Sequence, residues 1–247
     1  MEITVVVFFF GLMLALLGVV IALFFYRGYK GDQRRQKLAD WACKRGLQFN
    51  YVKFYRLDGR FGEFACLRRG DNRYAYNTME GDWSGRRFIG FDYHYETASD
   101  DGRQCQRHHL SAVILESEIL LKPLLIRPKN VFDMATEFFG YDDIDFEFTD
   151  IDFESAEFTR RFRVKAQDKR WAYDVIHQRT MEFLLSQPTF MFVLRFDFRR
   201  VIAYRGSTFT PTEFEQAAEV IRGILDLLPD YVRRQQQPDQ TPFSERA

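Results

Sequence analysis

The feature that most constrains this chain is an apolar run at residues 3–26. Thr4, Gly11 and Gly18 are its only residues that are not hydrophobic, and it carries no charge. As a helix of 24 residues rising about 1.5 Å each, the run would extend about 36 Å, enough to cross a hydrocarbon core of about 30 Å. A cleaved signal peptide would instead start with basic residues and end in small ones. The run therefore predicts an uncleaved transmembrane helix.

The charges that follow the run predict its orientation. One acidic residue, Asp32, stands among five basic ones: Arg27, Lys30, Arg34, Arg35 and Lys37. Because the basic flank of a membrane helix usually stays in the cytoplasm, we expect the N-terminus outside and the rest of the chain cytoplasmic. The sequence thus predicts a single-pass protein of the cell membrane.

The thiols and the overall charge agree with this location. Cys43, Cys66 and Cys105 are odd in number and widely spaced, as in proteins of a reducing compartment. The 247 residues include 35 basic and 35 acidic side chains, and a neutral chain argues against nucleic acid as a partner. An apolar fraction of 46% is sufficient for a packed core, so the chain after the anchor is expected to fold.

Alternation and turn signals predict a mostly antiparallel sheet. In 86–97, Ile89, Phe91, Tyr93 and Tyr95 share one face, which we expect to be buried, and Gly90, Asp92, His94 and Glu96 share the other. A Gly-bracketed turn at 81–85 precedes this strand and an Asp-Gly turn at 99–102 follows it. Two further strands are expected, at 103–115 and at 119–126, the second at an edge because Pro123 cannot donate a hydrogen bond.

Helices are predicted between and after these strands. We expect helices over 33–45, 131–140 and 168–185, the last broken near 177–180, and strands over 143–148, 158–166 and 190–204. Thr210-Pro211-Thr212-Glu213 is a capping box that begins a final helix. The fold class is therefore α+β, with a transmembrane anchor at 1–30, a cytoplasmic domain at 31–232 and a disordered tail at 233–247.

Several short motifs resemble those of a bacterial protein family. They are Gly90–Tyr93, Phe139–Glu147, Phe162–Val164, Trp171–Asp174 and Met181–Leu185. The pattern resembles membrane-anchored proteins that carry a cytoplasmic domain of unknown function, and it would cover most of residues 30–230. The resemblance implies one or two N-terminal membrane segments and an α+β domain, and it brings no catalytic residues.

An acidic repeat is the first candidate site. Asp143-Ile-Asp-Phe-Glu147 recurs seven residues later as Asp150-Ile-Asp-Phe-Glu154. If a bulge aligned the two copies, Asp143, Asp145, Asp150 and Asp152 could bind Mg²⁺ or Ca²⁺ and serve a metal-dependent hydrolase. The simpler alternative, which the pattern favours, is a half-exposed strand with a solvated acidic face.

A basic set is the second candidate site. Arg161, Arg163 and Lys165 would share one strand face and could bind an anionic ligand or lipid. Cross-strand pairing with the acidic repeat is the alternative, and we favour it because opposite charges stabilise neighbouring strands.

The remaining motifs point to no catalytic chemistry. The four histidines have no metal-binding spacing, and His94 is expected to pair across a hairpin with His108 or His109. Ser84 lies in a turn, and no nucleotide-binding motif is present, so no cofactor is predicted. The sequence favours a non-enzymatic, membrane-tethered interaction or scaffold module that contacts a protein partner or a second copy of itself.

Overall fold

The computed structural model describes residues 31–98, 105–129, 148–187 and 190–236, together with residues 13 and 16–19 of the apolar run. The predicted anchor at 1–30 lies almost wholly outside the described residues, as do the turn at 99–102, the helix at 131–140 and most of the strand at 143–148. Within the part that the structure describes, no helix is long and apolar enough to cross a bilayer.

Seven strands form one sheet. They are β1 Gln48–Asn50, β2 Asp71–Trp83, β3 Arg86–Ala98, β4 Cys105–Pro128, β5 Thr149–Ile151, β6 Phe162–Ala166 and β7 Val193–Arg205. The order is β1-β2-β3-β4-β6-β5, with β7 alongside β4, and every strand pair among the described residues is antiparallel. The prediction of an α+β fold with a mostly antiparallel sheet is therefore confirmed.

Seven helices accompany the sheet in the described residues. They are α1 (31–44), α2 Leu57–Arg60, α3 Ala156–Arg161, α4 Lys169–Val175, α5 Gln178–Ser186, α6 Pro211–Asp226 and α7 Asp230–Gln236, and a 3-10 turn covers Ala65–Leu67. Side chains of α1 and α3 to α7 join the larger apolar core, on one face of the sheet. The segment 57–67 covers part of the other face and closes a smaller core.

The long strand β4 replaces two predicted strands. It runs without a break from Cys105 to Pro128, and its first half pairs with β3 while its second half pairs with β6. β7 lies along its other side, so the prediction of an edge strand around Pro123 is wrong. The register with β7 is irregular between Leu121 and Leu124, and this irregularity accommodates a proline, which has no N–H to donate.

Local signals correctly predict the ends of several elements. The turn between β2 and β3 is shorter than the predicted 81–85, because Gly81–Trp83 continue β2 and only Ser84 and Gly85, with φ of 52° and 82°, form the turn. Thr210 accepts a hydrogen bond from the backbone N–H of Glu213, whose carboxylate binds the Thr210 N–H, so the capping box is present. Gly46, with φ of 69°, follows α1 as predicted.

Three other expectations need correction. Residues 158–161 are helical, because Ser155 caps α3 and strand β6 begins only at Phe162. The break in the helix at 168–185 is confirmed, but Thr180, the residue that the sequence suggests as cap of the second helix, is buried within α5, and His177 is the N-cap residue. Alternation along 190–198 predicts Phe198 on the same face as Phe192, Leu194 and Phe196, but a register shift and a positive φ of 51° turn its side chain into solvent.

Candidate functional site

A buried carboxylate holds the first helix on the sheet. Asp92, on β3, is 0% exposed and accepts two hydrogen bonds from the guanidinium of Arg34, at 2.6 and 2.8 Å. It also accepts from the side-chain amide of Asn77, at 2.8 Å, and from the hydroxyl of Ser111. The ion pair with Arg34 and the surrounding donors offset the cost of removing the carboxylate from water.

The same cluster fixes the chain that leads into α6. Arg34 also donates to the carbonyl oxygen of Phe209, at 3.0 Å from Nε and 2.6 Å from a terminal nitrogen. The Phe209 N–H in turn donates to the Ser111 hydroxyl at 2.8 Å. We call Arg34, Asn77, Asp92, Ser111 and Phe209 the Asp92 cluster. It joins α1, the middle of the sheet and the start of α6 in one hydrogen-bonded unit.

Aromatic and histidine side chains continue this face of the sheet beyond the Asp92 cluster. His94 pairs with Tyr74 on one side and with His109 on the other, which confirms the expected pairing of histidines across the hairpin. The ring centres lie 4.7 Å apart for Tyr74 and His94, and 4.9 Å apart for the two histidines. The Tyr76 hydroxyl lies 3.3 Å from Nδ1 of His109.

The protonation of this row follows from its surroundings. Burial and the charge of Asp92 raise the pKa of Tyr76, so its hydroxyl stays protonated. Burial and the neighbouring His94 lower the pKa of His109, which favours a neutral ring at neutral pH. Both shifts favour the uncharged forms of the Tyr76 and His109 side chains.

The predicted basic site is divided between two structural roles. Arg161 ends α3 and donates to the backbone carbonyls of Leu185 and Gln187, at 2.8 and 3.3 Å. Arg163 binds both carboxylate oxygens of Asp150, at 2.7 and 2.6 Å, and this pairing lowers the pKa of that carboxyl. Lys165 stands opposite Asp150 in the strand register. The favoured interpretation, cross-strand pairing with the acidic repeat, is confirmed for Asp150.

Buried cations surround that pairing on one face of the sheet. Arg127 pairs with Arg163, and Leu125 lies between Lys165 and Arg195 in the registers of β6 and β7. Arg127, Lys165 and Arg195 are 5%, 9% and 6% exposed. The sequence predicted Lys165 as part of a basic strand face, but not Arg127 and Arg195, because these two come from strands that are distant along the chain.

The predicted metal site cannot be assembled from the described residues. Asp143 and Asp145 lie outside them, Asp150 is bound to Arg163, and Asp152 follows β5 with its carbonyl bound by the Tyr173 hydroxyl at 3.0 Å. No group of three His, Cys, Asp or Glu side chains in the described part of the chain could hold a metal ion. Metal binding by the acidic repeat stays a prediction.

Comparison with known proteins supports the fold. No family model and no curated protein matches the chain. The chain is similar to the crystal structure of the mycobacterial trehalose monomycolate transport factor A, TtfA, with a TM-score of 0.55 and 12% identity, over 79% of this chain and 94% of that one. At this identity the likeness shows the fold alone. The resemblance to a bacterial family of membrane-anchored proteins stays a prediction beyond that.

Proposed function

We propose that this chain is a non-enzymatic, membrane-tethered interaction module of the cell membrane. Residues 1–30 would anchor it with the N-terminus outside, and the domain at 31–232 would meet its partner in the cytoplasm. The observation that carries the proposal is the Asp92 cluster, because it fixes the sheet to α1, whose described part begins five residues after the apolar run. This joint fixes the orientation of the domain relative to α1, through which the anchor would orient it at the bilayer.

Three further observations support the proposal. Met13, Leu16, Leu17 and Val19 are helical and 52–64% exposed, so the protein leaves apolar surface uncovered that a bilayer would cover. The hydroxyl of Ser111, the buried serine beside Asp92, donates to that carboxylate and accepts from the Phe209 N–H. Both bonds give this serine a structural role, in agreement with a non-enzymatic module. The likeness in fold to a protein named as a transport factor is compatible with a factor that works beside other membrane proteins.

The topology can be tested with the native thiols. Cys43 and Cys105 are exposed, whereas Cys66 is buried. A membrane-impermeant maleimide should leave Cys43 and Cys105 unmodified in intact cells and modify both after lysis. Modification in intact cells would contradict a cytoplasmic domain.

The partner can be tested by cross-linking in native membranes. We expect a recurrent cross-linked species, either with one other membrane protein or with a second copy of the chain. The Asp92→Asn variant should lose this species if orientation matters, while Asp150→Asn, on the opposite sheet face, should keep it. A chain that stays monomeric, with no enriched neighbour, would contradict the proposal.

A second function, binding of an anionic ligand, is favoured by the exposed cation Lys129 near the Asp150–Arg163 pair. A groove of about 590 Å³ opens beside it, lined by Lys129, Asp150, Asp152, Thr159 and Arg163, among others. Inorganic phosphate and phosphatidylglycerol micelles should raise the melting temperature of the chain, and Lys129→Gln, at the exposed cation that lines the groove, should abolish the shift. Equal melting temperatures with and without these anions would remove this alternative.

A further inference from the structure

An exposed aromatic segment follows β1 at the open edge of the sheet. Tyr51, Val52, Phe54 and Tyr55 are 64%, 58%, 46% and 54% exposed. Only Lys53 interrupts them, and Phe54 holds the segment to β2 through two backbone hydrogen bonds with Ala75. Four large exposed side chains within five residues form an apolar surface of the kind that marks an interaction site. We call residues 51–56 the edge segment.

The edge segment lies beside the start of α1. The guanidinium carbon of Arg35 is 6.0 Å from the ring centre of Tyr51. Chain geometry explains this closeness, since helix and strand run in opposite directions from Gly46. The eleven residues from Arg35 to Gly46 rise about 17 Å as a helix, and the five residues to Tyr51 descend about the same distance as a strand. The edge segment therefore returns to the level at which α1 begins.

This level is close to the end of the apolar run. Tyr26 and residue 31 are separated by five peptide units, which span at most about 18 Å even when fully extended. A helical connection would be shorter, at about 8 Å. If the anchor crosses the bilayer, the chain length alone keeps the edge segment within reach of the headgroups.

The charges of the segment suit an anionic surface. Lys53 and Arg56 are exposed, and residues 51–56 contain no acidic side chain. Arg35 adds a third cation, and its contact with Asp32 at 3.4 Å joins two exposed side chains, so it is weak. Lys53 sits 4.1 Å from the ring centre of Tyr74, which keeps the cation beside the aromatic surface. Tyrosines with neighbouring basic residues are typical of the boundary between lipid and water.

We propose that the edge segment is a second membrane contact, through which the domain lies on an anionic lipid surface beside its own anchor. Tyr51, Val52 and Tyr55 would enter the headgroup region, while Arg35, Lys53 and Arg56 bind lipid phosphates. This inference rests on the proposed tethering, because without an anchor three basic residues and four apolar ones give only weak adsorption. With the anchor, the contact is intramolecular and needs little affinity of its own.

The test uses a fluorescent probe on the full chain in vesicles. Val52→Cys is labelled with an environment-sensitive nitrobenzoxadiazole dye, in a background with Cys43→Ser and Cys105→Ser, while the buried Cys66 is kept. A matched control carries the dye at Arg179→Cys, which is exposed at the start of α5. The control is distant because α6 starts beside Arg34 and ends beside His177, about 24 Å further along its 16 residues.

In vesicles of phosphatidylcholine and phosphatidylglycerol, we expect blue-shifted emission at position 52 and several-fold stronger quenching by doxyl lipids than at position 179. Lys53→Glu with Arg56→Glu should return position 52 to the level of the control. Each basic residue near an anionic surface contributes roughly fivefold to binding, so the pair contributes roughly 25-fold. Arg179→Glu, with the dye kept at position 52, should have no effect.

Equal quenching at the two positions would overturn the inference. So would a blue shift at position 52 that requires native membrane proteins, since that outcome assigns the segment to a protein partner. Flotation of the same chains with vesicles after an alkaline wash reports on the anchor separately. A chain that floats without quenching at position 52 refutes the edge contact alone, whereas a chain that does not float refutes the tethering.

Discussion

Asp92 depends on donors from three separate parts of the chain. Arg34 comes from α1, Asn77 from β2 and Ser111 from β4, so the carboxylate is satisfied only when these elements meet. The Arg34 side chain is 24% exposed, whereas that of Asp92 is 0% exposed. The chain also contains a paired carboxylate near the surface, since the Asp150 and Arg163 side chains are 50% and 36% exposed. The two pairs offer a direct comparison of a buried and an exposed ion pair.

We predict that Asp92→Asn destabilises the chain much more than Asp150→Asn. Loss of one partner from a buried ion pair costs about 3–5 kcal/mol, and partial exposure of Arg34 places the expected loss near about 3 kcal/mol. Loss of an exposed pair costs at most about 1 kcal/mol. Urea unfolding of the full chain in detergent measures both values. Equal losses would show that the Asp92 cluster does not hold α1 in place.

The role of Asp92 could be predicted from the sequence only in part. Alternation along β3 correctly separated Asp92 and His94 from Phe91 and Tyr93. The alternation predicts that only the face of Phe91 and Tyr93 is buried. Asp92 and His94, on the other face, are nevertheless 0% and 4% exposed, so both faces are buried here. The alternation does not identify the partner of Asp92. That partner is Arg34, which lies 58 positions away and which the sequence places in the basic flank of the membrane segment. A local pattern carries no signal for a contact at that separation.

At the scale of elements, motifs of consecutive residues predict the structure correctly. The capping box of α6 needs only four consecutive residues, and the turn at Ser84 and Gly85 needs only two. The prediction of an edge strand in this part of β4 is wrong because Pro123 is a local signal for an edge, whereas the neighbours of β4 depend on its pairing with β6 and β7. Elements defined by their own residues could thus be predicted, and elements defined by distant partners could not.

The capping box predicts a pH dependence. Burial opposes ionisation of Glu213, but hydrogen bonds from Thr210 and Arg205 outweigh it and hold the pKa of this carboxyl below its usual value. A carboxyl whose pKa is lowered by folding stabilises the folded chain at pH values above its pKa in the unfolded chain, which is about 4.3 for Glu. This stabilisation is lost as the pH falls through the lower pKa of the folded chain. Glu213→Gln keeps a capping side chain and removes the charge. We expect lower stability at neutral pH and a shallower loss in acid, measured by urea unfolding from pH 7 downwards; parallel pH profiles would contradict this.

A close approach of two helices gives a second prediction for the elements. A Cβ at Gly223, on α6, would overlap with the ring of Phe183, on α5. Gly223→Ala should therefore cost about 1–3 kcal/mol through overpacking, although alanine in a helix normally gains up to about 1 kcal/mol. Gly59→Ala, with no atom near the new Cβ, is the matched control.

The clash can be separated from other effects by a double variant. Phe183→Leu removes the ring that meets the new Cβ, so Gly223→Ala should cost less in that background. A double-mutant cycle in urea measures the coupling between the two positions. Additive losses would show that the contact between α5 and α6 is not the cause.

At the scale of the molecule, the neutral total charge conceals separate charged regions. Basic residues precede α1, and a cationic face of Arg127, Lys165 and Arg195 lies on the sheet. The chain order predicts that β2, β3 and β4 are neighbours, and they are. It could not predict that β7 lies beside β4, because the residues that pair are about 70 to 95 positions apart. The architecture therefore depends on α1 and α6 covering a sheet that is assembled from distant segments.

This dependence predicts the outcome of two truncations. A chain of residues 31–247 keeps Arg34, Leu38 and Ala42, which contact the sheet and its core. It should unfold cooperatively, with a free energy close to that of the full chain. A chain of residues 46–247 loses those contacts and leaves Asp92 buried without its cation, so it should lose at least about 3 kcal/mol. Circular dichroism during urea unfolding measures both chains, and gel filtration detects aggregation through the uncovered core. If the two truncated chains had the same stability, α1 would be a linker helix, and the domain would begin at β1.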